Sequence, residues 1–398
     1  MIQIYHLFIS DFEEKMNLYR LTKQNHLHLL LGLIVGSLII ECSFRIIELT
    51  LLWKVLPVAE ISLFKPDYYS GYRLRENAEG IWTTENRTKI KISSIGLRDN
   101  EINNELSDMH RVVMVGDSIA EALQVDLNDT FQSLLEKKIK KLEIINLSMT
   151  GAVPSVQVAL MKHYGTNFNA NAMLYIVDGG DFDKINIQNS SGYPKYMPNK
   201  ESYSLDYSFR DNVNYQFRTS KAGQLIYWML SHSRLALIVN SRKNRGLFPK
   251  NIVQNINVHT NNNESCSADL QATMNSKWDL MNFYDSKNVR NIFLRDITAI
   301  SNKNNTKTIL AMRNIHGCID NNSQELHEFV KKILDGYDIG FVDLDYELYQ
   351  LSNSYPERFP KDKLRGFKSS LGYGHLNEKG HEAYSEILKV KLKKFLML

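Results

Sequence analysis

The stretch VVMVGDSIAEAL (Val112–Leu123) combines a short apolar run with a sudden polar turn. The run is rich in β-branched residues, which suits a strand of a parallel sheet that is buried on both faces. Gly116, Asp117 and Ser118 end the run, and helix-forming residues follow. Ligands of open α/β sheets bind outside the carboxyl ends of the strands. The stretch therefore predicts a strand, a tight turn and a helix, with the hydroxyl of Ser118 facing a crevice.

The same alternation of strand and helix returns along the chain. Helical spacing of apolar residues separates the apolar runs, for example in FQSLLEKKIKKL and in the C-terminal NEKGHEAYSEILKVKLKKFL. The predicted strands are RVVMV, LEIINLSM, AMLYIVDGG, TKTILAMRN and IGFVDLD. Strands that alternate with helices indicate a parallel sheet covered on both faces. We predict the α/β class, with a three-layer, flavodoxin-like parallel sheet.

Composition shifts divide the chain into several predicted parts. Residues 1–26 form an N-terminal segment, 27–55 a membrane anchor helix, and 56–105 an extended lead-in with short strands. Residues 106–398 form the α/β domain, and its strand–helix alternation stops over residues 184–300. That segment is rich in Asn, Ser and Tyr, and we interpret it as an insertion, such as a lid or a cap.

An apolar run near the N-terminus raises the question of a membrane. Leu29–Ile40 is uninterrupted but shorter than the ~18 residues expected of a spanning helix. Glu41, Arg45 and Glu48 share one helical face, and Glu41 and Arg45 could pair. Counted from Leu27 to Trp53, the helix is long enough to cross. A buried amphipathic helix and a cleaved signal peptide are the alternatives, and we favour a single N-terminal span.

The orientation of this span depends on few charges. Lys15, Arg20 and Lys23 precede the run, whereas Arg45 and Lys54 follow it. The positive-inside rule weakly places the N-terminus in the cytoplasm. We therefore expect the main domain on the extracytoplasmic side.

Charge and cysteine content narrow the classes of partner. The net charge is +4 without a block of Lys or Arg, so no nucleic-acid partner is expected. The spacing of Cys42, Cys266 and Cys318 indicates neither a disulfide framework nor a zinc site. The sequence is compatible both with a disulfide bond between Cys266 and Cys318 and with two free thiols. No cofactor and no metal is predicted, and the oligomeric state is left open.

Polar residues follow several predicted strands. Beyond Ser118, these are the loop containing Gly151, the Asp178–Asp181 loop and GYGHLN, which carries His375 before the last helix. A serine hydroxyl is a weak nucleophile until a base takes its proton, so Ser118 and His375 form a candidate pair. Backbone N–H groups of Ser118 and Gly151 could then stabilise an oxyanion.

Three motifs together resemble the SGNH/GDSL hydrolases. These are GDS after an apolar strand, a glycine in the next loop, and HLNEKGH before the terminal helix. The sequence IGLRDNEI and the apolar N-terminal helix are similar to those of membrane-anchored bacterial members. The resemblance covers roughly residues 93–183 and 307–398, and it implies an SGNH-type fold and esterase chemistry.

The resemblance also implies roles for single residues. Ser118 would be the nucleophile, His375 the general base, and the N–H groups of Ser118, Gly151 and Gly180 the oxyanion donors. Asp117 and Asp181 would support the loops by hydrogen bonds.

Two positions depart from the family pattern. Gly180 stands where the family has an asparagine, so the oxyanion donor that this asparagine supplies is lost. Gly372 stands where the family has the aspartate that orients the histidine. Water, a main-chain carbonyl or another carboxylate could orient His375, and Asp362 and Asp178 are candidates.

The predicted function is a membrane-anchored SGNH-type serine esterase or acyltransferase. It would act on an ester, such as an O-acetyl group, of a small molecule, a carbohydrate or an envelope glycan. The alternative is a catalytically impaired relative that binds glycan or an envelope-assembly partner. The third possibility is a membrane-tethered scaffold whose insertion carries the function.

Overall fold

The chain is described by a computed structural model that places most of its 398 residues. The described residues are 25–26, 28–47, 49, 63–102, 108–178, 192–198, 203–237, 284–313, 323–368, 371–372 and 374–398. Several residues singled out in the sequence lie outside them, namely Lys15, Arg20, Lys23, Leu27, Glu48, Trp53, Lys54, Gly180, Asp181, Cys266 and Cys318.

Five parallel strands form the central sheet, and each corresponds to a predicted strand. They are β5 (His110–Val115), β6 (Leu142–Asn146), β7 (Ala172–Asp178), β10 (Lys307–Arg313) and β11 (Ile339–Asp343). The spatial order is β11-β10-β7-β5-β6. Numbered along the chain within this sheet, the order is 2-1-3-4-5, which is that of flavodoxin-like folds. The predicted α/β fold class is confirmed.

Helices cover both faces of this sheet. Among the described residues, the helices in chain order are α1 (His28–Ile47), α2 (Ser118–Glu121), α3 (Phe131–Lys138), α4 (Pro154–His163), α5 (Val213–Thr219), α6 (Lys221–His232), α7 (Tyr284–Lys303), α8 (Ser323–Leu334), α9 (Leu344–Ser354) and α10 (Glu378–Leu396). Of these, α2 to α4 and α7 to α10 contribute to the two buried clusters on the sheet. Side chains of β5 alternate between two buried clusters: Val112 and Met114 pack with α3, α9 and α10, whereas Val113 and Val115 pack with α4, α7 and α8. This alternation is the period of two that a strand buried on both faces requires.

The lead-in before the sheet folds into two β-hairpins. The first pairs β1 (Phe64–Asp67) with β2 (Gly71–Leu74), and the second pairs β3 (Glu79–Trp82) with β4 (Thr88–Lys91). Thr88 donates a hydrogen bond from Oγ1 to the carbonyl of Leu123, 2.6 Å away. The second hairpin therefore contacts the segment that follows the GDS turn.

The described parts of the predicted insertion contain strands and helices. Strands β8 (Lys195–Pro198) and β9 (Tyr203–Asp206) form a third hairpin, and α5 and α6 follow. Helix α7 overlaps the end of the predicted insertion, but Phe293 and Ile297 on it are buried in the core against the sheet.

One helix among the described residues is long and apolar enough to cross a membrane. This is α1, whose mean hydropathy is 2.0, and none of it is buried inside the protein. A membrane span and a signal sequence both fit these properties.

Two segments at the carboxyl edge of the sheet have local features that the sequence patterns do not specify. The helix after the GDS turn is a single turn, because Ala122 has a positive φ of 58° and ends it. Asp343 at the end of β11 and Asp345 at the start of α9 are buried. Asp343 caps α9 by accepting a hydrogen bond from the N–H of Tyr346, so the helix that follows β11 explains its burial.

Candidate active site

The GDS turn has a conformation that each of its residues helps to fix. A Cβ on Gly116 would lie 2.6 Å from the Cβ of Ala120, so only glycine fits there. Asp117 caps α2, because its Oδ1 accepts a hydrogen bond from the N–H of Ile119 at 2.9 Å. Ser118 is then the first residue of the helical turn and remains partly exposed.

His375 lies beside Ser118, although 257 positions separate them along the chain. The Nε2 atom of His375 is 2.8 Å from Oγ of Ser118. The loop that carries His375 is fixed by Asn377, which caps α10 by accepting a hydrogen bond from the N–H of Gly380. The structure therefore brings the two predicted residues within hydrogen-bonding distance.

Glu85 completes a chain of three hydrogen-bonded side chains. Its Oε1 lies 2.7 Å from Nδ1 of His375, and its Oε2 accepts a hydrogen bond from the N–H of His375 at 3.1 Å. Glu85 is in the turn between β3 and β4, with a positive φ of 66°. The hydrogen bond from the imidazole is the largest effect on the carboxyl group, and the pKa of Glu85 is lowered. A carboxylate on Nδ1 fixes the tautomer in which Nε2 can accept a proton from Ser118.

The orienting group is therefore neither of the two aspartates considered from the sequence. Asp178 forms an ion pair with Arg313 at 2.9 Å, and Glu85 rather than Asp362 contacts Nδ1 of His375. The glycine that precedes His375 makes room for this carboxylate. A Cβ on Gly374 would lie 2.8 Å from Oε2 of Glu85.

The loop after β6 lies next to the GDS turn. The N–H of Met149 donates to the carbonyl of Gly116 at 3.0 Å. Gly151 has a positive φ of 74°. The N–H groups of Ser118 and Gly151 donate no hydrogen bond to another described residue. Both predicted donors are thus available to an oxyanion, whereas Gly180 and Asp181 lie outside the described residues.

Thr150 fixes the position of this loop through contacts on two sides. The hydroxyl of Tyr72 donates to the carbonyl of Thr150 at 2.7 Å. The buried carboxyl of Glu121 accepts hydrogen bonds from both the N–H and the hydroxyl of Thr150. Burial raises the pKa of Glu121 to about 7. Glu121 is the last residue of α2, so it links the helical turn of Ser118 to the loop of Gly151.

Arg313 is the last residue of β10 and forms ion pairs with acidic residues at the carboxyl ends of the neighbouring strands β7 and β5. Its guanidinium lies 2.6 Å from Oδ2 of Asp117 and 2.9 Å from Oδ2 of Asp178. Burial opposes the charge of Arg313, but the two carboxylates outweigh it and raise the pKa of the guanidinium. Asp117 therefore has two contacts: one oxygen caps α2, and the other pairs with Arg313.

His381, the second histidine of HLNEKGH, does not reach Ser118. It is buried, accepts a hydrogen bond from the N–H of Phe131 at 3.2 Å and stacks on the ring of that residue. Burial lowers the pKa of His381 to about 3, so the ring is neutral. His381 is therefore a packing residue. No cluster of three or more His, Cys, Asp or Glu residues suited to a metal ion occurs in the part of the chain that the structure describes.

Sequence reasoning missed Glu85, Glu121 and Arg313. Arg313 ends a predicted strand, so its place at the carboxyl edge of the sheet was a usable signal. Glu121 lies one helical turn after Ser118, a spacing that also pointed to the site. Glu85 had no comparable signal, because its turn reaches His375 only through the packing of the lead-in hairpin.

Comparison with known proteins gives remote structural relatives. No protein-family model and no curated protein matches the chain. Among solved structures, it is similar to a lipolytic protein of the G-D-S-L family from Veillonella parvula, with 10% identity over 72% of this chain and 99% of that chain, at a TM-score of 0.33. The predicted resemblance to SGNH/GDSL proteins agrees with this neighbour.

Two further similar structures are acetyl xylan esterases. AlAXEase has 14% identity over 70% of this chain and 97% of that chain, at a TM-score of 0.32. A catalytic mutant of Axe2 from Geobacillus stearothermophilus has 9% identity over 71% of this chain and 94% of that chain, at a TM-score of 0.33. At such identities and scores these likenesses concern the fold, and the function has to be argued from the side chains of the site.

Proposed function

We propose that this protein is a serine esterase that uses Ser118, His375 and Glu85. The observation that supports the proposal is the continuous chain of hydrogen bonds from Ser118 Oγ through both ring nitrogens of His375 to Glu85. A helix-capping serine needs no imidazole, and the imidazole would need no carboxylate on its far nitrogen. A nucleophile, a base and an orienting acid are the three parts of acyl-transfer catalysis.

Each of the three side chains has one role in the proposed reaction. Ser118 attacks the ester carbonyl while Nε2 of His375 takes the hydroxyl proton. The N–H groups of Ser118 and Gly151 stabilise the tetrahedral oxyanion. His375 then returns its proton to the departing alcohol, which leaves an acyl group on Ser118. Glu85 stays ionised and stabilises the positive imidazole that exists between these steps.

The acyl acceptor decides between two outcomes of the second half-reaction. If water attacks the acyl-enzyme, the ester is hydrolysed. If a sugar hydroxyl attacks it, the acyl group is transferred to the sugar. We propose a small acyl group, such as acetyl, on a carbohydrate or envelope glycan, with α1 as a membrane anchor and the site on the extracytoplasmic side. The resemblance in the motifs supports this choice of carrier, and the apolar α1 supports anchoring.

A fluorophosphonate probe tests the nucleophile directly. The full-length protein in detergent should be labelled, and Ser118→Ala and His375→Ala should each abolish labelling and p-nitrophenyl acetate turnover. Ser148→Ala is the matched control, because Ser148 is buried in the neighbouring loop and its hydroxyl has no hydrogen-bond partner among the described residues. Equal labelling of Ser118→Ala and wild type would refute the proposal. Absence of labelling in a folded wild-type protein would favour the glycan-binding alternative.

A further inference from the structure

We propose that α6 is a second membrane-embedded element, which docks on α1 and exposes its apolar side chains to bilayer lipid. This inference concerns the predicted insertion and is independent of the esterase chemistry. It rests on α1 lying in a membrane, which the experiment below checks first.

The burial pattern of α6 is the reverse of that of a helix on a soluble protein. Its two buried residues are Gly223 and Ser231. Its large apolar side chains are instead mostly solvent-accessible, with exposed fractions between 40% and 58% for Leu225, Ile226, Trp228, Met229 and Leu230. A surface helix of a soluble protein turns its apolar stripe towards the core. Small residues towards the protein and large apolar residues outwards are the arrangement of helices that pack within lipid.

The close contact between α6 and α5 explains why residue 223 is a glycine. A Cβ on Gly223 would lie 1.7 Å from the carbonyl oxygen of Phe217 on α5. The helix therefore presents this small side to the rest of the protein by necessity. The apolar face of α6 could pack against α5 only if the two helices met in a different orientation.

Two charged residues of α1 contact the chain where α6 ends. Arg45 donates a hydrogen bond from Nη2 to the carbonyl of His232, the last residue of α6, at 2.9 Å. Glu41 accepts hydrogen bonds through Oε2 from the N–H groups of Arg234 at 2.7 Å and Leu235 at 3.3 Å. Residues 234–237 are helical, so these N–H groups begin a new helical segment.

Each charge therefore faces the helix end that it stabilises. The free carbonyls at a helix C-terminus carry partial negative charge, and the free N–H groups at an N-terminus carry partial positive charge. Arg45 lies at the negative end of α6, and Glu41 lies at the positive start of the next helical segment. Backbone groups at a helix break are costly in lipid unless the protein satisfies them. This accounts for two charges within an otherwise apolar helix.

We infer that the contact lies near the end of the proposed span, where an interfacial helix would sit. Glu41 is six residues before the end of α1, which corresponds to ~9 Å along the helix axis. Amphipathic helices in the interface bury their apolar face ~5–10 Å deep. Trp228 and Met229 line the same groove as Leu33 and Leu38 of α1, so the apolar surfaces of the two helices are continuous.

Brominated lipids report which tryptophan contacts the acyl chains. The full-length protein is reconstituted in phosphatidylcholine vesicles in a background in which Trp53 and Trp278 are both replaced by Phe, so that Trp82 and Trp228 are the two remaining tryptophans. Vesicle flotation first checks that the protein is inserted. Quenching by brominated lipid should then be largely lost in Trp228→Phe. It should persist in Trp82→Phe, because Trp82 lies in the β3–β4 hairpin.

Unchanged quenching in Trp228→Phe, in a protein that floats with the vesicles, would overturn the proposal. It would mean that a second copy of the chain or another part of the protein covers α6. Loss of flotation would instead overturn the anchor itself. Neither result depends on Ser118, so failure here and failure of the esterase proposal are distinguishable.

Exchanging the two charges gives a second, sharper test. If Glu41 and Arg45 only paired with one another, Glu41→Arg combined with Arg45→Glu would restore the wild-type quenching that either single change reduces. Docking on α6 predicts the opposite, because each exchanged charge faces the wrong helix pole. Restored quenching in the double variant would contradict the docking, and far-UV circular dichroism shows that the variants are folded.

Discussion

Glu85 and His375 are 290 positions apart in the chain, yet Oε1 of Glu85 lies 2.7 Å from Nδ1 of the imidazole. A β-hairpin of the lead-in thus supplies the acid to a histidine that precedes the last helix. Gly372 stands where the family pattern has an aspartate, and the carboxylate reaches the ring from a different part of the fold. The departure at Gly372 is therefore no argument for a decayed site.

The first prediction concerns the charge of this carboxylate. Glu85→Gln keeps the shape of the side chain, but its amide can donate to Nδ1 and so place the ring proton on Nε2. His375 could then no longer accept the proton of Ser118. We expect kcat for p-nitrophenyl acetate to fall by about 10²–10⁴-fold with little change in KM, as the loss of the orienting acid does in triad enzymes. Steady-state kinetics of purified protein measure this.

Glu79→Gln is the matched control, since Glu79 is an exposed carboxylate on the same hairpin. It should leave kcat within about twofold of wild type, as remote surface changes do. A Glu85→Gln enzyme with wild-type kcat would show that another group orients His375.

A second prediction tests the space that the carboxylate occupies. Gly374→Ala adds a Cβ 2.8 Å from Oε2 of Glu85, at a residue whose φ is 87°. The substitution should move Glu85 or His375 and lower kcat by about tenfold or more, because misplacement by 1 Å can cost ~10²-fold. Gly336→Ala, which meets no atom within 4 Å, is the control. Unchanged kcat in a folded Gly374→Ala protein would show that the Glu85 contact is dispensable.

Local sequence patterns were sufficient to predict the sheet. Apolar runs such as that of β5 occur where strands are, and helical spacing of apolar residues occurs where α3 and α10 are. The same patterns placed Ser118 and His375 at strand or helix boundaries, which in a parallel sheet lie near one edge. Their proximity was predicted from these positions together with the resemblance to SGNH/GDSL hydrolases.

The position of Glu85 could not be predicted in this way. It lies outside the strand–helix units, in a turn whose contact with His375 depends on how the hairpin packs against Leu123. The arrangement of α6 on α1 escaped prediction for the same reason. The sequence indicated that Glu41 and Arg45 could pair, and the structure places Arg45 Nη2 3.1 Å from Glu41 Oε1. Their contacts with the ends of helices 187–194 positions away are tertiary and have no such local signal.

A third prediction concerns the loop that carries Gly151. Glu121→Ala removes the acceptor for both hydrogen bonds of Thr150, whereas Thr150→Val removes the hydroxyl alone. Each should lower kcat more than it raises KM, because this loop carries the proposed oxyanion donor Gly151. Since the two residues act through one contact, the double variant should lose less than the product of the single losses. Multiplicative losses in kcat would show that Glu121 and Thr150 act independently.

The last prediction follows from three buried or half-buried carboxyl groups. Burial raises the pKa of Asp99 to about 8 and those of Glu121 and Glu136 to about 7. The native state therefore holds protons that the unfolded chain has already released. Their favourable contribution is complete below the ordinary carboxyl pKa of ~4 and is lost as the pH rises to ~8. We expect the melting temperature of the full-length protein in detergent to fall between pH 5 and pH 8.

Asp99→Asn should flatten this decrease, because an amide replaces the group with the highest of the three pKa values. The amide oxygen can still accept the hydrogen bond that Asp99 Oδ2 receives from the N–H of Asn146. Asp108→Asn should not alter the slope, since that side chain is 87% exposed. A melting temperature that rises from pH 5 to pH 8, or an unchanged slope in Asp99→Asn, would contradict the inference that these carboxyl groups are protonated in the native state.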